Sequence, residues 1–255
     1  MTRKALTTAA LPAALATLMA TAAGAEIVGE AHSYTVGDET FEGYVATNTD
    51  LAEPRGTVLI VHDWDGMTDY EERRADMLAA LGYTAFAIDL YGADTDPQGM
   101  EEYRALSGAL YEDRELFRAR LMGSIAEAAN ITGATDNVVM MGYCFGGAAT
   151  LEAARAGAEL DGFVSFHGGL DLPEGQDYSA VTGPVMVFHG SADPVSGMDA
   201  FAALMTALTE AGVESDAQVY GGARHSFTVY GSDDYDLAAD TASWIGLQMF
   251  LQEAL

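Results

Sequence analysis

Short, mostly apolar runs recur along this chain, each closed by glycine, proline or a polar residue. Residues 56–61, 83–88, 137–141, 163–166, 185–188 and 217–220 are of this kind. They lack a strict polar alternation, so they read as strands buried on both faces of a parallel sheet. Residues 32–36 and 41–45 do alternate, around Gly37-Asp38. That pattern predicts a hairpin at the edge of the sheet. Helical patterns occupy 70–81, 99–130, 145–155 and 199–211, and another closes the chain over 235–253. The long stretch 99–130 is expected to break at Gly108 or Gly123. Strand and helix alternation predicts one α/β domain with a doubly wound, mostly parallel sheet. Sites in such sheets lie at the carboxyl ends of the strands.

One of these strand ends carries a chemical signature. The run 137–141 leads into Gly142-Tyr143-Cys144-Phe145-Gly146-Gly147, with the chain's single cysteine at the apex. A strand that turns sharply into a helix holds its apex residue in a strained conformation. Glycines on either side remove the side chains that would clash. A thiol there stands exposed to an electrophile, but it needs a base beside it and a group to orient that base. The order nucleophile, acid, histidine along the chain is met by Cys144, then Asp193, then His225. Asp193 follows the strand 185–188 within Ser191-Ala192-Asp193-Pro194. His225 follows the strand 217–220 within Gly221-Gly222-Ala223-Arg224-His225-Ser226-Phe227. Each alone has a plainer reading: a small buried cysteine, a turn-initiating aspartate, a surface histidine. Their order and placement together point to a triad.

The elbow, the segment from His189 to Pro194 and the segment from Gly222 to Phe227 resemble the dienelactone hydrolase family of α/β-hydrolases. So do Val61-His62-Asp63-Trp64-Asp65-Gly66, Asp89-Leu90-Tyr91-Gly92 and Phe166-His167-Gly168-Gly169. Cysteine rather than serine at the elbow is the specific part of the likeness. The resemblance implies an ester or lactone hydrolase that works through a thioester, with Cys144 as nucleophile, His225 as base and Asp193 as its orienting partner. The N–H of Phe145, after the nucleophile, and that of Trp64, in the loop after the first central strand, are the expected oxyanion donors. Family members typically carry a glutamate at the position of Asp63, thought to help take the thiol's proton. Aspartate is one methylene shorter, and it could instead cap the following helix. The family's substrate-binding arginine beyond the histidine is absent from Ser226-Phe227-Thr228-Val229-Tyr230. Arg104, Arg114, Arg118 and Arg120 could supply a cation, though pairing with Glu112 or Glu115 on the helix surface is the plainer expectation.

Location and partners come from the rest of the chain. Arg3 and Lys4 precede an uncharged, alanine-rich stretch over 5–22, then Ala23-Gly24-Ala25. That is the pattern of a secretory signal peptide over residues 1–25, leaving a single domain over 26–255 in the periplasm or outside a bacterial cell. No other segment approaches membrane length, so no membrane association is expected after cleavage. The net charge is −28, with 11 basic against 39 acidic residues. Such a surface repels nucleic acid and anionic lipid, and suits solubility in salt. One cysteine forms no intrachain disulfide. His62, His167 and His189 each end a strand but lack metal-type spacing, so hydrogen bonding near the pocket is expected and no metal or cofactor. Trp64, Tyr91 and Phe145 suit either a pocket wall or the core. The expected partner is a small ester or lactone, bound by a monomer. Two other classes stay open: a thiol-reactive redox protein, and an inactive small-molecule binder on a hydrolase fold.

Overall fold

The computed structural model describes residues 26–255. The expected signal peptide over 1–25 lies outside the described residues. The elements run β1 (Ile27–Val36), β2 (Glu39–Asn48), β3 (Thr57–Val61), α1 (Asp69–Ala80), β4 (Thr84–Ile88), α2 (Met100–Glu112) and α3 (Arg114–Glu127). After these come β5 (Val138–Tyr143), α4 (Phe145–Arg155), β6 (Gly162–Phe166), β7 (Val185–Gly190), α5 (Met198–Glu210), β8 (Ser215–Tyr220) and α6 (Leu237–Ala254).

The strands form one eight-stranded sheet in the order β1-β2-β4-β3-β5-β6-β7-β8. β1 and β2 pair antiparallel as the expected edge hairpin, and β2 meets β4 antiparallel. Every later pairing is parallel. The central strands β3, β4, β6 and β7 are buried along their whole length. Their residues alternate between two cores, which is why these runs show no polar alternation. Val58, Ile60, Val139, Met141 and Phe188 face α1 and α6, while Leu59, Val61, Met140, Phe163 and Val187 face α3, α4 and α5. Each fully buried aliphatic side chain of this kind contributes about 1.5–3 kcal/mol. The register sets Val61 beside Gly142 and Tyr143 beside Phe166, so the candidate residues gather at one end of the sheet.

The helix break falls at neither glycine expected from the sequence. α2 ends and α3 begins around Asp113, whose backbone (φ −105, ψ 84) leaves the helical region and whose carboxylate accepts the Leu116 N–H at 3.0 Å. An aspartate that caps a new helix outweighs a glycine's lower helix propensity. Gly123 lies inside α3 for packing reasons, because a Cβ there would come within 2.4 Å of Val36 on β1.

Candidate active site

The elbow is built by close approach. Cys144 sits between β5 and α4 with φ 51 and ψ −109, a conformation that costs a non-glycine residue free energy. Its N–H is held by the Phe166 carbonyl at 3.0 Å. A Cβ on Gly142 would lie 2.1 Å from the Gly146 carbonyl oxygen, and one on Gly146 would lie 2.2 Å from that of Val61. Those contacts are with backbone, which cannot yield, so both positions require glycine.

The three candidate side chains meet. His225 Nε2 lies 3.0 Å from Cys144 Sγ, and His225 Nδ1 lies 2.8 Å from Asp193 Oδ2. Asp193 has one oxygen for the imidazole and one for its own loop: Oδ1 accepts the N–H groups of Val195 and Ser196 at 2.7 and 3.0 Å. Burial pushes this carboxyl up, but the imidazole and the two N–H donors outweigh burial and hold it below the usual aspartate range. An ionised Asp193 fixes a proton on Nδ1, leaving Nε2 to accept from the thiol. The Cys144 thiol is pushed well up, first by burial and then by the charge of Asp63 and its hydrogen bond, with the Phe145 N–H working the other way. The resting sulfur is therefore a neutral S–H, not a thiolate.

Asp63 stands close enough for its charge to push the thiol up, and its Oδ1 accepts the Trp64 N–H at 2.5 Å. Burial, then repulsion from Asp65, raises its carboxyl to about 6. Asp63 does not cap the next helix. Thr68 caps α1, in a capping box with Glu71. Phe145 supplies its N–H near the sulfur, while its ring lies in the core, stacked on Phe117 at 5.4 Å. Trp64 is only half-buried, packed against Tyr103.

The arginines sort differently from expectation. Arg114 and Arg118 reach past the acids of their own helices to Glu152 on α4, at 2.9 and 2.7 Å, where Arg155 joins them at 2.9 Å. Glu152 is fully buried, so it draws the nearest cations more strongly than solvated Glu112 or Glu115. Arg120 pairs with Glu39 at 2.8 Å. Arg104 makes no ion pair among the described residues and lies over the Trp64 ring at 5.9 Å.

Two of the strand-end histidines bond as expected. His62 receives the Leu90 N–H on Nε2 and gives Nδ1–H to the Asp63 carbonyl. His167, with a strained φ of 38, bonds Thr228 Oγ1 at 2.8 Å through Nε2. The His189 ring, stacked on Phe201, has no hydrogen-bond partner at either nitrogen. Among the described residues no group of three or more histidine, cysteine or acidic residues could hold a metal ion. Sequence reasoning missed Thr228, which also bonds Tyr70 at 2.7 Å, and Glu71, which accepts the Asp63 N–H at 3.2 Å. A buried glutamate two residues into a helix reads from sequence as an ordinary acid of the first turn. The cavity of about 490 Å³ lined by Met186, Met249 and Phe250 opens at the other end of the strands, away from the triad.

The comparisons with known proteins agree with this architecture. The family model described as "Dienelactone hydrolase family" matches residues 41–255. A protein designated m3DLH is 30% identical, with a TM-score of 0.83 over 90% of this chain and 99% of that one. A dienelactone hydrolase-like promiscuous phosphotriesterase, P91, from metagenomic libraries is also 30% identical, with a TM-score of 0.83 over 91% of this chain and 99% of its own. A Bradyrhizobium protein named "Probable 2-oxo-3-(5-oxofuran-2-ylidene)propanoate lactonase" is 22% identical over 205 residues, 76% of this chain and 82% of its own length. With the match running through β2 to α6, the chain belongs to the dienelactone hydrolase family and is an ester or lactone hydrolase of the α/β-hydrolase fold.

Proposed function

We propose that hydrolysis runs through Cys144, His225 and Asp193 by way of a thioester. The observation that carries this is the continuous chain of contacts, 3.0 Å from sulfur to imidazole and 2.8 Å from imidazole to carboxylate. As the ester or lactone carbonyl arrives, the Cys144 proton passes to His225 Nε2 and the sulfur attacks the carbonyl carbon. Asp193 stabilises the imidazolium. The Phe145 and Trp64 N–H groups receive the oxyanion, Trp64 after Asp63 has swung away from it. Collapse breaks the C–O bond, and the leaving alkoxide takes the proton from Nε2. A water then gives its proton to Nε2 and attacks the thioester. The thiolate leaves, recovers that proton, and the acid is released. In a lactone, the alcohol and the acid are the two ends of one product.

Assay of esters and lactones of varied charge under reducing conditions tests this reading. Turnover should vanish in Cys144→Ala while the fold persists; undiminished turnover would remove the proposal. A transient acyl adduct separates it from a thiol-reactive redox protein and from an inactive binder. Neutral phosphotriesters belong in the same panel, because the 30% identical P91 is named for that activity. Export is proposed from the leader-like residues 1–25 and is checked by sequencing the amino terminus of protein recovered from a bacterial host. No described helix is long and apolar enough to cross a membrane. The monomer expectation is likewise a proposal, tested by light scattering.

A further inference from the structure

The loop Asp63-Trp64 is held in an unusual way. It exposes four backbone polar groups near the site, and three of them are tied down by buried or half-buried side chains. Glu71 Oε1 accepts the Asp63 N–H at 3.2 Å. The Tyr91 hydroxyl donates to the Trp64 carbonyl at 2.9 Å. The Asp63 carbonyl accepts twice, from His62 Nδ1–H at 2.5 Å and, less closely, from the Gly66 N–H at 3.2 Å. The fourth group, the Trp64 N–H, meets no scaffold group; it meets the Asp63 carboxylate.

These contacts are linked by the peptide plane. No peptide bond is cis among the described residues, so the Asp63 C=O and the Trp64 N–H point in opposite directions. Whatever holds the carbonyl aims the N–H. The His62 ring is well suited to this task. It is fully buried, stacked on Phe145 at 5.8 Å and met edge-on by Tyr91 at 4.6 Å, so it cannot swing. Its tautomer is set, because Leu90 N–H donates to Nε2 at 3.2 Å and the proton must therefore sit on Nδ1. A flipped peptide would place two acceptors, or two donors, face to face. The Asp63 oxygen resting on the Trp64 N–H is an anionic oxygen at the place where an oxyanion would bind.

We propose that His62 is a positioning residue for oxyanion stabilisation: by holding the Asp63 carbonyl it fixes the Trp64 N–H in the donor orientation, with Tyr91 bracing the following carbonyl. This rests on the thioester reading above. It assigns to a strand-end histidine a role in the chemistry although it touches neither substrate nor nucleophile.

Two substitutions separate this role from mere packing. In His62→Asn the amide nitrogen can stand where Nδ1 stands and keep the donor to the Asp63 carbonyl, while losing the acceptor for Leu90. His62→Gln does the reverse, keeping an acceptor at the Nε2 position and losing the donor. Each variant is measured twice: for acylation by p-nitrophenyl acetate in a single turnover, which forms an oxyanion, and for alkylation by iodoacetamide, which forms none. The expected result for His62→Gln is acylation slower by about 100-fold, the cost of one lost oxyanion donor, with alkylation within about threefold of wild type. His62→Asn should keep acylation within about tenfold of wild type. Acylation and alkylation falling together in His62→Gln, or equal acylation in the two variants, would overturn the proposal. If the His62 variants do not fold, Tyr91→Phe carries the test, because it removes one hydroxyl only. Its acylation should fall about tenfold with alkylation unchanged, and equal effects on both would count against the brace. Absence of any Cys144 acyl burst in wild type would instead remove the thioester reading itself. A wild-type burst that His62→Gln leaves intact would sink only this inference.

Discussion

Replacing Asp63 by asparagine should make the candidate nucleophile more reactive toward an alkylating agent. Asp63 is ionised above its raised value of about 6, and its charge stands near a thiol that it pushes up. Two unit charges about 4 Å apart interact by ~4 kcal/mol at an effective dielectric of about 20. If rearrangement in the pocket relieves half of that, removal of the carboxylate favours the thiolate by ~2 kcal/mol, which is about 30-fold in its population. A less basic thiolate is a weaker nucleophile, with a Brønsted slope of about 0.4–0.5. The net gain in alkylation rate near pH 8 is then roughly sixfold. The assay is iodoacetamide modification of Asp63→Asn against wild type across pH, followed by intact mass. The ratio should approach one near pH 5, where the wild-type carboxyl is itself protonated. An equal or slower rate in the variant at pH 8, or a ratio that does not depend on pH, would refute this view of the resting site.

Other outcomes follow from contacts elsewhere. Glu152→Ala should destabilise the fold by about 3–5 kcal/mol in denaturant titration, because it leaves buried Arg155 facing Arg114 and Arg118 without their shared carboxylate. Gly146→Ala should cost ~3 kcal/mol or more, or prevent soluble expression, since its Cβ would fall 2.2 Å from the Val61 carbonyl oxygen. Above neutrality, stability should fall with rising pH. Burial lifts Glu71 to about 8 and Asp63 to about 6, both above their values in the unfolded chain. Their contribution is thus complete at low pH and is lost as pH climbs through about 6 and then about 8. Asp193 and Glu152 are held low, and burial holds His62, His167 and His189 below the ordinary histidine value. Those five contributions disappear only on acidification, so they are complete above about pH 7 and leave the window to the raised carboxyls. The melting temperature should drop between about pH 7 and 8.5, and drop less in Glu71→Gln; a flat or rising wild-type profile there would contradict the raised Glu71 carboxyl.

The parts of this molecule that were legible in the sequence are those written in local patterns. Strand positions β3 to β7 are short apolar runs because both faces of those strands are buried. Helix α4 matches its sequence expectation because the elbow glycines and Arg155 mark its two ends. The order of Cys144, Asp193 and His225 was readable because the fold places each after a strand, and strands are readable. What escaped depends on contacts far apart in the chain. Glu152 recruits Arg114 and Arg118 from 38 and 34 residues away, where local reasoning offered only neighbours one helical turn off. Thr228 meets Tyr70 across 158 residues, and no local pattern announces such a pair. Asp63 was the most ambiguous residue: length alone could not say whether its carboxylate turns toward the thiol or caps the helix that follows. The fold resolves that by giving the helix end to Thr68.

Everything said of the chemistry depends on carbon binding, for a moment, to one sulfur. Intact-protein mass spectrometry on the millisecond scale after mixing with p-nitrophenyl acetate reads this directly. An acetyl adduct mapping to Cys144, decaying at the rate of turnover and absent from Cys144→Ala, is the expected result. Steady hydrolysis with the thiol unmodified, or acetylation at another residue, would contradict it.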